Sequence, residues 1–159
     1  AKPKPDQNFC LRNSKRHTAE RGDCLEIWTS QGGNRTMESY GGGPMSKAHI
    51  DFLRSGHLWF EVGDQIFVHG GFNPDIPLSS HSAQALVWDR TLLDTAWEKH
   101  LTVNECRMGS FKDIFAGHTS TELYNTLKPI HACNVWDIDT GAGWSGRLTI
   151  MDVNTKKYW

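Results

Sequence analysis

Two histidines occupy matching places in the sequence: His69 in FVHGGFNP and His118 in FAGHTS, each at the close of an apolar run and each beside glycine. A neutral imidazole is a good ligand for first-row transition metals, and glycine lets a backbone turn sharply or a ligand come close. One such histidine alone reads as a hydrogen-bonded structural residue. Two in like contexts open a second reading, in which both point at one ion, because neighbouring strand ends of an α/β sheet converge on a single crevice. Arg90, in VWDR, carries a permanent planar charge that can grip two phosphoryl oxygens or, equally, pair with Asp89 or Asp94 on the surface. Asp139, in IDTGAG, can orient a ligating histidine or cap the turn that follows it. Trp88, Trp136 and Trp144 read as core or edge packing.

These residues need elements to position them. HLWFEVGDQIFVHGG alternates and then runs apolar around Gly63-Asp64, the pattern of two strands joined by a tight turn, with His69 closing the second. FKDIFAGHTS is a short strand that closes at His118, and TELYNTLKP a brief helix stopped by Pro129. Between them SAQALVWDRTLLDTAWEKHL has helical spacing, with Leu86, Leu93 and Trp97 able to share a face. Upstream, NRTMESYGG and SKAHIDFLRSG predict short helices, capped by Asn34 or Ser46 and ended by Gly41 or Gly56. IHACNVWDIDTGAG, GRLTIMDV and KKYW predict three closing strands. Residues 1–24 are polar and poorly periodic and are set apart from 25–159. The outcome is a mixed α/β domain.

The chain has 159 residues, 38% of them hydrophobic, enough for one domain with a real core. Seventeen basic and 18 acidic residues leave a formal charge of −1 without a run of like charge, so neither a nucleic-acid nor a membrane partner is expected. No stretch has the apolar length of a membrane span and the start lacks a signal-peptide core, which predicts a cytoplasmic protein. Cys10, Cys24, Cys106 and Cys133 form no C-x-x-C pair, and in a reducing compartment they are expected as free thiols.

FVHGGFNP, LVWDR, GHTST and NVWDIDTGAGWSGRLTIMDVNTKKYW, preceded by EIWTSQGGNRTMESY, occur in the order found in another group of sequences. From Leu25 to Trp159 the chain resembles the C-terminal half of the bacterial and phage-type serine/threonine phosphatases of the calcineurin-like metallophosphoesterase superfamily. The resemblance implies an α/β fold, part of a four-layer αββα sandwich whose first strands and helices are not represented. It also implies metal ligation by His69 and His118, beside which Arg90 is a candidate phosphate clamp and Asp139 a candidate support for a ligating histidine. The group's cofactors are two divalent ions, manganese, iron or zinc, and its substrates phosphorylated proteins or other phosphomonoesters.

The chain departs from that pattern at the N-terminal side. D-x-H and G-D-x-x-D-R motifs do not occur, and the third metal motif survives only as PDQNFCLRNSKRH, with Asn13 opposite the asparagine ligand and Ser14 and Lys15 in the places of a histidine and an acid. Two histidines and one asparagine make half a coordination sphere, so at most one ion is expected. Activity of the chain alone is expected to be weak or absent, with the missing motifs supplied, if at all, by a separate N-terminal half. Two further readings stand beside the phosphatase: a non-catalytic remnant that binds a partner, and a dinucleoside polyphosphate hydrolase, which shares the histidine motifs.

Overall fold

The computed structural model describes residues 25–103, 105–144 and 146–159. The chain divides into two compact units between His57 and Leu58, whereas composition alone had placed a boundary after residue 24. In the first unit a π-helical turn, Thr29–Gly33, runs into helix α1, Asn34–Ser39, so Asn34 lies inside a continuing helix and caps nothing. Helix α2, Lys47–Arg54, begins as predicted, with the Ser46 hydroxyl accepting from His49 N at 3.3 Å. Only Gly33 is buried among the described residues of this unit.

The second unit is built on a five-stranded mixed sheet of order β1-β2-β3-β5-β4. Its strands are β1 (Trp59–Val62), β2 (Gln65–Val68), β3 (Asp113–Ala116), β4 (Ile130–Ala132) and β5 (Val135–Asp137). β1 and β2 form the expected hairpin, closed by Gly63 at φ 59°, a conformation that costs glycine nothing. β2, β3 and β5 run parallel, so their C-terminal ends open on the same side. A parallel pair needs a long crossover. Between β2 and β3 it is supplied by helices α3 (Ala83–Trp88) and α4 (Thr91–Thr102).

Period-two alternation assigns the two faces of the sheet. Ile66, Val68, Ile114, Ala116, Val135, Ile130 and Ala132 face a core completed by Leu86, Leu92, Leu93 and Ala96 of the helices. The opposite face carries one aromatic residue per strand in register, with Phe60 beside Phe67, Phe67 beside Phe115, Phe115 beside Trp136 and Trp136 beside His131. Phe67 and Phe115 stack at 4.9 Å and His131 and Trp136 at 4.0 Å between ring centres.

Several expectations are corrected. The helix expected across Ser82–Leu101 is broken, because Asp89 is extended and its carboxylate accepts from Leu92 N at 3.1 Å, capping a new helix. Leu86 and Leu93 still meet in the core, from two helices instead of one face. The turn after His118 is a 3₁₀ helix, Thr121–Tyr124, that ends at left-handed Asn125 and not at Pro129. The final segments pair only locally, through single bridges between Gly141 and Arg147 and between Met151 and Tyr158, and add no strand to the sheet. Cys106 and Cys133 form a disulfide, with Cα atoms 4.9 Å apart, in place of the free thiols expected. Trp144 is 77% exposed and therefore packs in no core. No helix among the described residues is long and apolar enough to cross a membrane.

Candidate functional site

His69 follows β2 and His118 follows β3 by two residues, so the parallel pairing of these strands sets both imidazoles at one edge of the sheet. Their ring centres are 5.0 Å apart, inclined at 57°. The backbone ties them as well: Gly117 N donates to His69 O at 2.9 Å. His118 itself is left-handed, at φ 65°, a conformation uncommon outside glycine, and such strain concentrates where a side chain must be aimed. Trp88 meets its ring edge-on at 5.2 Å.

The glycines of VHGG have a reason other than turning. A Cβ on Gly70 would come within 2.8 Å of the Val87 carbonyl oxygen, and one on Gly71 within 2.9 Å of the Leu92 Cβ. Gly70 N also donates to Leu86 O at 2.9 Å. The loop that carries His69 is thus pressed against the corner between α3 and α4, and only residues without side chains allow that approach.

That corner delivers Arg90. Its Nη1 donates to the His118 carbonyl at 3.0 Å, so the guanidinium lies at the crevice and steadies the strained residue. It forms no ion pair with its neighbours: the Asp89 carboxylate accepts from Thr91 and Leu92, and Asp94 accepts from the Tyr124 hydroxyl. Asp139 takes the turn-capping role, its Oδ1 accepting from Gly141 N at 3.0 Å. It also lies beside the histidine loop, since a Cβ on Gly117 would be 3.8 Å from the Asp139 Cβ. Asn13 lies outside the described residues.

Electrostatics favour the neutral form of His118. Burial, then the charges of Arg90 and His69, push His118 below the ordinary imidazole range, and Asp139 only partly opposes them. The His118 Nε2 is buried and has no hydrogen-bond partner. The His118 ring thus lies against a second imidazole with one of its nitrogens unengaged. Among the described residues no group of three or more His, Cys, Asp and Glu that could hold a metal ion is assembled.

Trp88, expected as core or edge packing, is 44% exposed and meets the His118 ring edge-on. Sequence reasoning missed Asp137, fully buried with Oδ2 unpaired and its carboxyl pushed up to about 8 by burial, only two residues before Asp139. The alternation of VWDID, which sends Asp137 to the same face as Val135, was the available signal. Compared with known proteins, the chain matches no family model and no curated protein.

Proposed function

We propose that this chain is a phosphatase-like domain of calcineurin-like lineage, in which His69 and His118 hold a single divalent ion, manganese, iron or zinc, and Arg90 receives the phosphoryl group of a phosphomonoester such as a phosphoprotein. The observation that carries the reading is the juxtaposition of the two imidazoles, 5.0 Å apart, with Arg90 tethered to the backbone of one of them. The sequence order of FVHGGFNP, VWDR, GHTST and IDTGAG supports the family, and the mixed α/β sheet with helices on one face is compatible with half of its sandwich.

The chain's own residues divide the work. His69, exposed, and His118, half-buried, provide nitrogen donors, and burial beside Arg90 favours the neutral form of His118. Such an ion, when bound, would polarise phosphoryl oxygens and lower the pKa of a water. Arg90 fixes the direction of approach, since one nitrogen is spent on His118 O and, among the described residues, no other partner takes the rest of the fork, which is free to meet an anion. Asp139 stabilises the turn next to His118 and places a negative charge near the ligand pair. With two imidazoles and no bridging carboxylate among the described residues, transition-state charge is poorly neutralised, and turnover by this chain is expected to be slow.

The test is metal binding. Cobalt(II) titrated into the protein should produce an absorption spectrum of nitrogen-ligated ion with one equivalent bound. His69→Asn and His118→Asn should each weaken binding at least tenfold. If both variants bind cobalt as the wild type does, the assignment is wrong whatever residual phosphatase activity is measured with p-nitrophenyl phosphate and manganese.

A further inference from the structure

A second feature lies along α4 in the same unit. A cleft of about 300 Å³ opens between the turn Phe72–Asp75, the outer stripe of α4 and the loop Arg107–Gly109. That volume is at the lower end of the range for sites that take small groups. Its floor is apolar and almost fully buried, made by Phe72, Leu92 and Met108. Its rim is polar: Thr91, Thr95 and Lys99 follow one another at helical i, i+4 spacing on α4, with Arg107 and Asp75 from the two loops.

The walls are built before any ligand arrives. Arg107 donates to the carbonyls of Gly109, Ser110 and Phe111, which holds its guanidinium in place and leaves Nη1 without a partner among the described residues. Met108 is clamped by Asn134, which accepts from its N–H at 2.6 Å and donates to its carbonyl at 3.1 Å. Gly109, left-handed at φ 62°, lets the loop approach Pro74, against whose Cβ a side chain would come within 2.9 Å. Across the cleft, the Asn73 side chain accepts from Asp75 N and its own N–H donates to His81. A preformed cleft loses little entropy when it is filled.

Charge and position suggest what fills it. Lys99 and Arg107 against Asp75 leave one net positive charge over an apolar floor, which matches a single carboxylate on a short hydrocarbon stem. The cleft also shares its framework with the site: the loop that forms one wall begins at His69, and Thr91 of the other wall directly follows Arg90. We propose that the cleft binds the side chain of an acidic residue flanking the phosphorylated residue of a peptide substrate. This specificity subsite rests on the phosphatase-like reading above. Lys99 and the unengaged Arg107 nitrogen meet the carboxylate, and Phe72, Leu92 and Met108 meet its methylenes.

The test uses fluorescein-labelled peptides of one length, with phosphoserine or serine flanked on both sides by Glu, Ala or Lys. Binding to the full chain is followed by anisotropy at low salt with manganese present. The Glu-flanked phosphopeptide should bind roughly fivefold more tightly than its Lys-flanked counterpart, the scale of one exposed charge pair. Lys99→Glu should erase or invert that preference. Lys157→Glu, an equal charge change beyond the other face of the sheet, on the segment where Lys156 covers the Phe115 ring and Lys157 lies over Trp159, should leave it intact. The proposal fails if the wild type ignores the flanking charge or if the Lys157 variant loses the preference as fully as the Lys99 variant. A gain from phosphorylation without any effect of flanking charge removes the subsite and keeps the phosphatase-like reading. A Glu preference that tracks Lys99 equally in serine and phosphoserine peptides removes that reading and keeps the cleft as an acid-binding site. No binding by any peptide at millimolar concentration overturns both.

Discussion

The two ends of the same parallel strands are built on opposite rules. At the N-terminal ends, buried polarity is satisfied. Asp113 receives Lys156 at 2.7 Å and Gln65 at 3.0 Å, so that burial, which by itself would raise its pKa, is outweighed and the carboxyl titrates below its ordinary range. Asn134 uses its side chain three times, on both polar groups of Met108 and on the Phe111 carbonyl, and the Cys106–Cys133 disulfide closes the same corner. At the C-terminal ends, His118 Nε2, Thr121 Oγ1 and Asp137 Oδ2 are buried without partners, three of the four such atoms among the described residues. An unpaired buried polar atom costs on the order of 1–3 kcal/mol. The contrast teaches that one end of the sheet closes its buried polar groups on one another, while the other leaves three of them without partners at a cost in stability.

Asp137 provides the most severe test of that contrast. Its folded pKa, pushed up to about 8, exceeds the unfolded value, so the folded state holds the extra proton between about pH 4 and that pKa. Stability contributed by the neutral carboxyl is complete at the acid end of this window and is lost as pH rises through it. Asp137→Asn cannot ionise and should flatten the curve. Urea unfolding of both proteins from pH 5 to about pH 9 should show the variant gaining on the wild type by up to about 4 kcal/mol at the alkaline end. Parallel curves would mean that Asp137 is ionised and paired after all.

The well-braced end is tested next. Replacing Cys106 and Cys133 together with serine opens a loop with a sequence separation of 27, which should cost about 3.5 kcal/mol by chain entropy. The loss should appear as a lower urea midpoint, matched by the wild type under reducing conditions. An unchanged midpoint would remove the disulfide from the bracing.

The smallest effect is expected at the site itself. His118→Asn removes an imidazole whose Nε2 has no partner, and asparagine tolerates the left-handed backbone at φ 65°. Metal-free stability should therefore stay within about 0.5 kcal/mol of the wild type, even though metal binding falls. A loss of several kcal/mol would turn His118 from a candidate ligand into a structural residue and collapse the contrast between the two ends.

The site was more legible in the sequence than much of the framework around it. His69 and His118 were found because each closes an apolar run next to glycine, and the sheet then brings them together. The Gly63-Asp64 hairpin and the Ser46 cap were equally plain, since both depend on residues adjacent in the chain. The break at Asp89 was overlooked although an aspartate ahead of a helical run is a start signal. Helical spacing on both sides of it concealed the corner. The closing segments were over-read as strands because alternation reports half-burial and not pairing, and Ile150 pairs with Trp159 away from the main sheet.

What the sequence determined by itself was local: which runs alternate, where glycine and the caps end them, and which side chains can bind a metal or an anion. Tertiary structure decided everything that depends on residues distant in the chain meeting. It joined Cys106 to Cys133, which composition and compartment arguments had left as thiols. It carried Arg90 to the His118 carbonyl instead of to its acidic neighbours, and it left Asp137 buried without a second partner. The physical reason is that hydrogen-bonding, burial and charge energies depend on distances of a few ångströms, and for these residues the distances are set by the crossing of β2, β3 and β5 under α3 and α4, not by spacing along the chain.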